Sequence, residues 1–175
     1  MLAIHPIPAF NDNYIWAIIN NDAKQAIIVD AGDAAPVLDF MQKNNLNICH
    51  IWVTHHHQDH IGGVAELANI YPNAQIFAHV DIHPLVKAKN LQAAREGSEL
   101  TAWGCPVQVW QVAGHTDNHL AYLLTLEQHL HVFCGDTLFR AGCGRVFTGT
   151  IEQLFESFER FAELHDEQTL FYPAH

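Results

Sequence analysis

Positively charged side chains are scarce in this chain. Its 175 residues include 8 Lys and Arg against 19 Asp and Glu, so the formal net charge is −11. A surface that binds nucleic acid needs a basic face to neutralise phosphates, so this composition argues against nucleic acid as a partner. Divalent cations, where bound, would offset part of the negative charge at the site that holds them.

The sequence also lacks the usual features of membrane insertion, secretion and disulfide frameworks. No apolar run approaches the roughly 18 residues that a transmembrane helix needs, and no basic segment followed by an apolar stretch opens the chain. The cysteines show no Cys-x-x-Cys spacing and are interpreted as reduced, mostly buried thiols: Cys49, Cys105, Cys134 and Cys143. Together these absences predict a cytoplasmic protein without membrane contacts.

Strand-like and helix-like segments alternate along the chain, whose length suits one domain. We therefore expect a single layered α/β domain over residues 1–175. The predicted strands are 14–19, 25–29, 48–53, 74–78, 107–112, 120–125, 130–134 and 170–172. The predicted helices follow Asp33, Gly63 and Thr150, the last of these opening a Thr-Ile-Glu-Gln capping box. Residues 84–99 are predicted to form a partly helical surface excursion.

The densest group of potential metal ligands lies in residues 54–60, which read Thr-His-His-His-Gln-Asp-His. These ligands are three imidazoles and one carboxylate: His55, His57, His60 and Asp59. Such donors suit zinc, and also iron or manganese. A buried strand is predicted before the segment and a helix after it, so we expect the ligands on a strand-to-helix loop. His56 projects away from its two histidine neighbours in an extended segment, which indicates a structural role. The alternative for the whole segment is an adventitious surface site.

Further candidate ligands each follow a predicted strand: His115, Asp136 and His175. Taken alone, each is more typical of an ordinary turn residue. Strand ends of one sheet can converge on a single spot, however, as they do at ligand sites of α/β proteins. We therefore expect these side chains to join the histidine-rich segment.

Several motifs resemble those of the metallo-β-lactamase superfamily. They are His-x-His-x-Asp-His at 55–60, Gly-His-Thr at 114–116, Gly-Asp-Thr-Leu-Phe at 135–139 and the final His175. Residues 7–16, together with Gly142-Cys143-Gly144-Arg145 and Phe147-x-Gly149, narrow the resemblance to the glyoxalase II family, the hydroxyacylglutathione hydrolases. This resemblance implies the αββα sandwich of the metallo-β-lactamase fold and two divalent metal ions, zinc in the first place, with iron or manganese as alternatives.

The resemblance also implies a role for particular side chains. One metal would take His55, His57 and His115. The other would take Asp59, His60 and His175, and Asp136 would bridge the two. Arg145 and Phe147 would contact the glutathione moiety of a substrate. Asp30 and His119 would orient ligands by hydrogen bonds, although a turn or helix-capping role for Asp30 stays open.

Simple chemistry supports a hydrolase of this kind. Two divalent ions, held by carboxylates such as Asp59 and Asp136, lower the pKa of a bridging water towards about 7, which supplies a hydroxide nucleophile. A thiolate leaving group has a pKa near 8.5, so no strong general acid is needed. The resemblance implies that the reaction converts S-D-lactoylglutathione, a small-molecule glutathione thioester, to D-lactate and glutathione. No serine nucleophile elbow or cysteine–histidine pair competes with this interpretation.

Other functions stay open at this point. The chain could be another superfamily hydrolase or an iron-dependent persulfide dioxygenase, although the presence of both Asp59 and His175 favours two metals. It could also be a metal-binding domain without catalytic activity. Glyoxalase II enzymes continue into a helical domain that grips glutathione, and residues 1–175 do not include it, so we expect impaired substrate binding. We expect a monomer or weak oligomer.

Overall fold

The computed structural model describes residues 2–164 and 168–175, and it divides the chain into two compact units. The first unit comprises Met1–Ala93 with Ala174, and the second comprises Ala94–Pro173 with His175. Each unit is built on one β-sheet. Within the described residues, no helix is long and apolar enough to span a membrane.

The first sheet has six strands, which lie side by side in chain order. They are β1 (Leu2–Ala9), β2 (Asn13–Asn20), β3 (Gln25–Val29), β4 (Asn47–Trp52), β5 (Gln75–Ala78) and β6 (Leu91–Ala93). The first three are antiparallel, and the later neighbours pair in parallel. Parallel neighbours need crossover connections, which here contain α1 (Ala34–Asn44), the short α2 (Gln58–Ile61) and α3 (Val64–Ile70).

Local sequence explains where α1 begins and ends. The Asp33 side chain caps its first turn by accepting the Ala35 N–H, and Asn45 ends it in the left-handed conformation, with φ 52°. The buried residues Val37 and Met41 pack into the apolar core of the first unit. The helix predicted after Asp33 and the strands predicted at 14–19 and 25–29 are confirmed.

The second sheet has five strands in the order β11-β10-β9-β8-β7. They are β7 (Glu99–Ala102), β8 (Cys105–Gln111), β9 (Leu120–Leu126), β10 (His129–Gly135) and β11 (Leu170–Pro173). Only β10 and β11 pair in parallel within this sheet. Helix α4 (Ile151–Ala162) buries Leu154, Ser157 and Phe161 and begins with the predicted capping box.

The prediction for residues 84–99 is wrong, because this stretch contains β6 and the start of β7 and no α-helix. Strand β6 pairs with β5, and the Asn90 carbonyl accepts the Ile76 N–H at 3.0 Å. This pairing outweighs the weak local preference. Strand β1 was not predicted either, since Pro6 and Pro8 are poor strand residues, but β1 is an edge strand, where proline is tolerated.

The cysteine prediction is correct in one respect and wrong in another. The four cysteines form no disulfide. Only Cys134 is fully buried, however, and Cys143 is exposed. Burial raises the pKa of the Cys49 thiol to about 11, so this thiol stays protonated near neutral pH.

The capping box at α4 generates a stability prediction. The Thr150 hydroxyl accepts the Gln153 N–H and the Gln153 side chain accepts the Thr150 N–H. We expect Thr150→Ala to lower the free energy of unfolding by about 1 kcal/mol, since the Gln153 N–H of the first turn loses its partner. Urea unfolding at matched metal content measures this, with Thr150→Ser as the control that keeps the hydroxyl. Equal stability of the two variants would contradict the assigned cap.

Candidate metal centre

In the first unit, four predicted ligands follow β4. His55 and His57 lie in the loop after this strand, while Asp59 and His60 lie in α2. The Nε2 atom of His55 is 3.1 Å from the Nδ1 atom of His57. Each side chain thus presents a ring nitrogen, the atom type that binds zinc, to its neighbour.

The buried carboxylate of Asp30 determines which nitrogen of two imidazoles carries the proton. Thr54 donates its backbone N–H and its hydroxyl to this carboxylate, each at 2.8 Å. Because the hydroxyl proton is used there, the Thr54 oxygen accepts from Nδ1 of His55, 3.0 Å away. Nδ1 of His60 lies 3.0 Å from Oδ2 of Asp30, and a carboxylate at this distance favours the proton on that nitrogen. The lone pair that can bind a metal is therefore on Nε2 in both His55 and His60.

Asp59 is positioned by side chain and by backbone. The Asn13 amide donates to Oδ2 of Asp59 at 2.9 Å, and the same oxygen lies 3.4 Å from Nε2 of His60. The backbone of Asp59 packs directly on Gly32, where a Cβ atom would collide with the Asp59 carbonyl group. Residue 32, which follows β3, must therefore be glycine. The contact also sets the distance between α2 and the end of β3.

In the second unit, His115 is held by the glycine- and arginine-containing segment. Its Nδ1 lies 2.6 Å from the backbone carbonyl oxygen of Arg145. A carbonyl oxygen only accepts, so Nδ1 carries the proton and the metal-binding lone pair is on Nε2. A Cβ atom at Gly144 would lie 2.5 Å from Nδ1 of His115 and would also collide with the carbonyl oxygen of Asp136.

Asp136 lies just after β10 and faces a different imidazole with each carboxylate oxygen. Oδ2 is 3.4 Å from Nε2 of His115, and Oδ1 is 3.5 Å from Nε2 of His175. His119 accepts the backbone N–H of Asp136 at 3.1 Å through its Nε2. A carboxylate with this arrangement can bridge two metal ions.

These separations provide a test of whether metal ions fit. Zinc bonds of about 2.0–2.1 Å at tetrahedral angles place neighbouring ligand atoms about 3.4 Å apart. The pairs within each unit are separated by 3.1 to 3.5 Å. The donor atoms are neutral imidazole nitrogens and carboxylate oxygens, the types that bind divalent ions. Both units therefore present clusters that can bind divalent metal.

The remaining predicted site residues are placed as follows. Phe147 is 62% exposed, and its ring packs edge-on against His115 at a centroid distance of 5.3 Å. The Arg145 side chain is exposed, so its backbone rather than its guanidinium supports His115. His56 is half-buried and belongs to no ligand cluster among the described residues.

The sequence analysis did not identify three groups that hold candidate ligand side chains: Asn13, Thr54 and the carbonyl group of Arg145. The Asn13 and Thr54 positions could have been suspected only from their place in the motifs, because an amide or hydroxyl carries no metal preference of its own. A particular backbone carbonyl group cannot be singled out from the sequence, since every residue has one.

Comparison with known proteins establishes the family. Residues 11–175 match the family model of the metallo-beta-lactamase superfamily. A hydroxyacylglutathione hydrolase of Neisseria meningitidis serogroup A is 47% identical over 174 residues, with 99% of this chain and 66% of the relative covered. One of Vibrio campbellii is 44% identical over 171 residues, with 98% and 65% covered. The crystal structure of ETHE1 from Myxococcus xanthus has a TM-score of 0.81 and 27% identity, with 100% and 75% covered.

The chain belongs to the metallo-β-lactamase superfamily. The predicted α/β fold of that superfamily is confirmed by its two mixed sheets and by the similarity to solved structures. The chain spans about two thirds of the length of the curated relatives it matches, 66% in the Neisseria protein.

The tight packing at Gly144 generates a prediction about metal content. We expect Gly144→Ala to lower the bound metal per chain, because the added methyl group displaces His115 and Asp136. Gly142→Ala is the matched control, since a Cβ atom there meets nothing within 4 Å. Elemental analysis of both purified variants makes the comparison. The same metal content in both would contradict the assigned role of residue 144.

Proposed function

We propose that this chain carries the binuclear metal centre of a thioester hydrolase acting on S-2-hydroxyacylglutathiones. S-D-lactoylglutathione is the proposed substrate, and D-lactate and glutathione are the proposed products. The observation that carries the proposal is the 47% identity, along nearly the whole chain, to a relative named hydroxyacylglutathione hydrolase. The orientation of the candidate ligands within each unit supports it.

The proposed ligands divide into two sets that share one carboxylate. One ion is assigned to His55, His57 and His115, and the other to Asp59, His60 and His175, with Asp136 common to both. Five neutral imidazoles and two carboxylates suit zinc, and they also accept iron or manganese. When bound, such ions supply an acidified water and polarise the thioester carbonyl group.

The protein's own contribution is to hold these side chains in position before substrate arrives. Asp30, Thr54 and the Arg145 carbonyl group each engage the Nδ1 side of an imidazole, so Nε2 is already oriented. Preorganised ligands cost no rearrangement during the reaction. The departing thiol is acidic enough to leave as a thiolate, so a protein acid is not required.

Two exposed side chains of the segment that holds His115 are proposed to contact the glutathione moiety. Phe147 offers an apolar face, and Arg145 offers a planar cation suited to a carboxylate. They belong to the segment whose backbone holds His115, so substrate contact and ligand support come from the same loop.

The first test measures metal content and activity together. We expect close to two metal ions per chain and hydrolysis of S-D-lactoylglutathione, and we expect His57→Ala to lose at least one ion and the activity. His5→Ala, an exposed histidine, is the control. A single iron with persulfide oxidation would favour the dioxygenase alternative. Two ions without thioester hydrolysis would favour a metal-binding domain that is not catalytic.

The second test concerns the substrate contact of Arg145. We expect Arg145→Ala to raise KM about tenfold, which corresponds to ~1.4 kcal/mol, with kcat nearly unchanged, because the lost contact is made equally to substrate and transition state. The backbone carbonyl that holds His115 is retained in this variant. Arg95→Ala, which removes another exposed arginine of the second unit, is the control. A collapse of kcat at constant KM would refute a role limited to binding.

A further inference from the structure

Asn13 and Tyr14 lie at the start of β2, inside the segment 7–16 that the metal motifs do not include. Asn13 is only 6% exposed, although its side chain is polar. Its amide reaches across 46 positions in sequence to Oδ2 of Asp59, at 2.9 Å. A buried amide at this place is therefore used to hold one of the candidate ligands.

The chemistry of the pair determines the direction of the hydrogen bond. An ionised carboxylate has only acceptor atoms, so the NH2 group of Asn13 must face it. The oxygen that Asn13 holds is the same one that lies 3.4 Å from Nε2 of His60. A carboxylate oxygen has two lone pairs, so the hydrogen bond occupies one and orients the other.

Tyr14, the next residue, holds the backbone beside His175, another proposed ligand of the same ion. The backbone N–H of Tyr14 donates to the carbonyl oxygen of Ala174 at 2.8 Å, and Ala174 is 2% exposed. Ala174 directly precedes His175, whose own carbonyl oxygen accepts the Arg140 N–H at 3.2 Å. The backbone leading to His175 is thus fixed on both sides of the Ala174–His175 peptide.

We infer that Asn13 is a positioning residue for the metal ion assigned to Asp59, His60 and His175, which it serves by orienting the coordinating oxygen of Asp59. Tyr14 assists through its backbone by holding the residue before His175. This inference rests on the proposed binuclear function.

A neutral amide suits this task better than a charged group. A lysine or arginine beside Asp59 would compete with the metal ion for the carboxylate and would repel the ion. An apolar residue would remove the donor that orients this oxygen. Partners outside the metal shell typically alter metal affinity by about 10- to 100-fold when they are removed.

The experiment measures how tightly each ion is held. Fully zinc-loaded proteins are equilibrated with a graded series of zinc chelator, and zinc per chain is read by elemental analysis. Asp59→Ala identifies which of the two release steps belongs to the Asp59 ion. In Asn13→Leu and Asn13→Ala we expect that step alone to weaken by about 10- to 100-fold, and the other step to change by less than about threefold.

The variants separate loss of the hydrogen bond from loss of packing. Asn13→Leu keeps the branched shape and removes the donor, whereas Asn13→Ala removes both. Asn11→Ala, an exposed asparagine two positions away, is the matched control. Circular dichroism of each loaded protein confirms that the fold is retained.

Each outcome has a defined meaning. Selective weakening of the step that Asp59→Ala removes supports the inference. Asn13 variants that release zinc as Asn11→Ala does, or that weaken both steps equally, overturn it and leave the proposed function intact. A wild-type protein that holds only one zinc ion per chain overturns the proposed function, and the inference falls with it.

Discussion

The carboxylate of Asp30 is the group on which the ligand arrangement of the first unit depends. It is 4% exposed, accepts from the Thr54 N–H and the Thr54 hydroxyl, and lies 3.0 Å from Nδ1 of His60. A buried carboxylate without donors would cost several kcal/mol, so these donors must be in place when the unit is folded. The backbone of Asp30 has φ 56°, a conformation that costs about 1–2 kcal/mol in a residue other than glycine, which the two hydrogen bonds from Thr54 and the ion pair with His60 offset. One carboxylate thereby orients His60 directly and His55 through Thr54.

In the second unit, hydrogen bonds of main-chain groups hold the candidate ligands His115 and Asp136 in position. The Arg145 carbonyl holds Nδ1 of His115, and the Asp136 N–H is held by His119. Main-chain groups can act in this way only if the backbone comes close, and Gly144 allows that approach because it has no side chain. The Gly-Cys-Gly-Arg segment therefore supports His115 by its backbone, while the Arg145 side chain is exposed.

Whether an element was predicted from the sequence depends on how far apart in the chain the residues that stabilise it lie. Capping by Asp33 and Thr150 depends on atoms within a few residues, and these helix starts were predicted correctly. Strand β6 exists because its neighbour β5 offers unpaired backbone groups, a condition that the local sequence of residues 84–99 does not encode. Helix α2 was missed because its four residues are too few to show helical periodicity in the sequence.

The sequence by itself determined which donor atoms this protein has. A histidine offers imidazole nitrogens and an aspartate offers carboxylate oxygens wherever they lie, so residues 54–60 already indicated divalent metal chemistry. Only the tertiary structure decided which nitrogen of His55, His60 and His115 carries the proton, because that depends on acceptors at Thr54, Asp30 and Arg145. The pairing of Asn13 with Asp59 was also decided there, since it joins residues 46 positions apart. Donor type is a property of one residue, whereas donor orientation is a property of its neighbours in space.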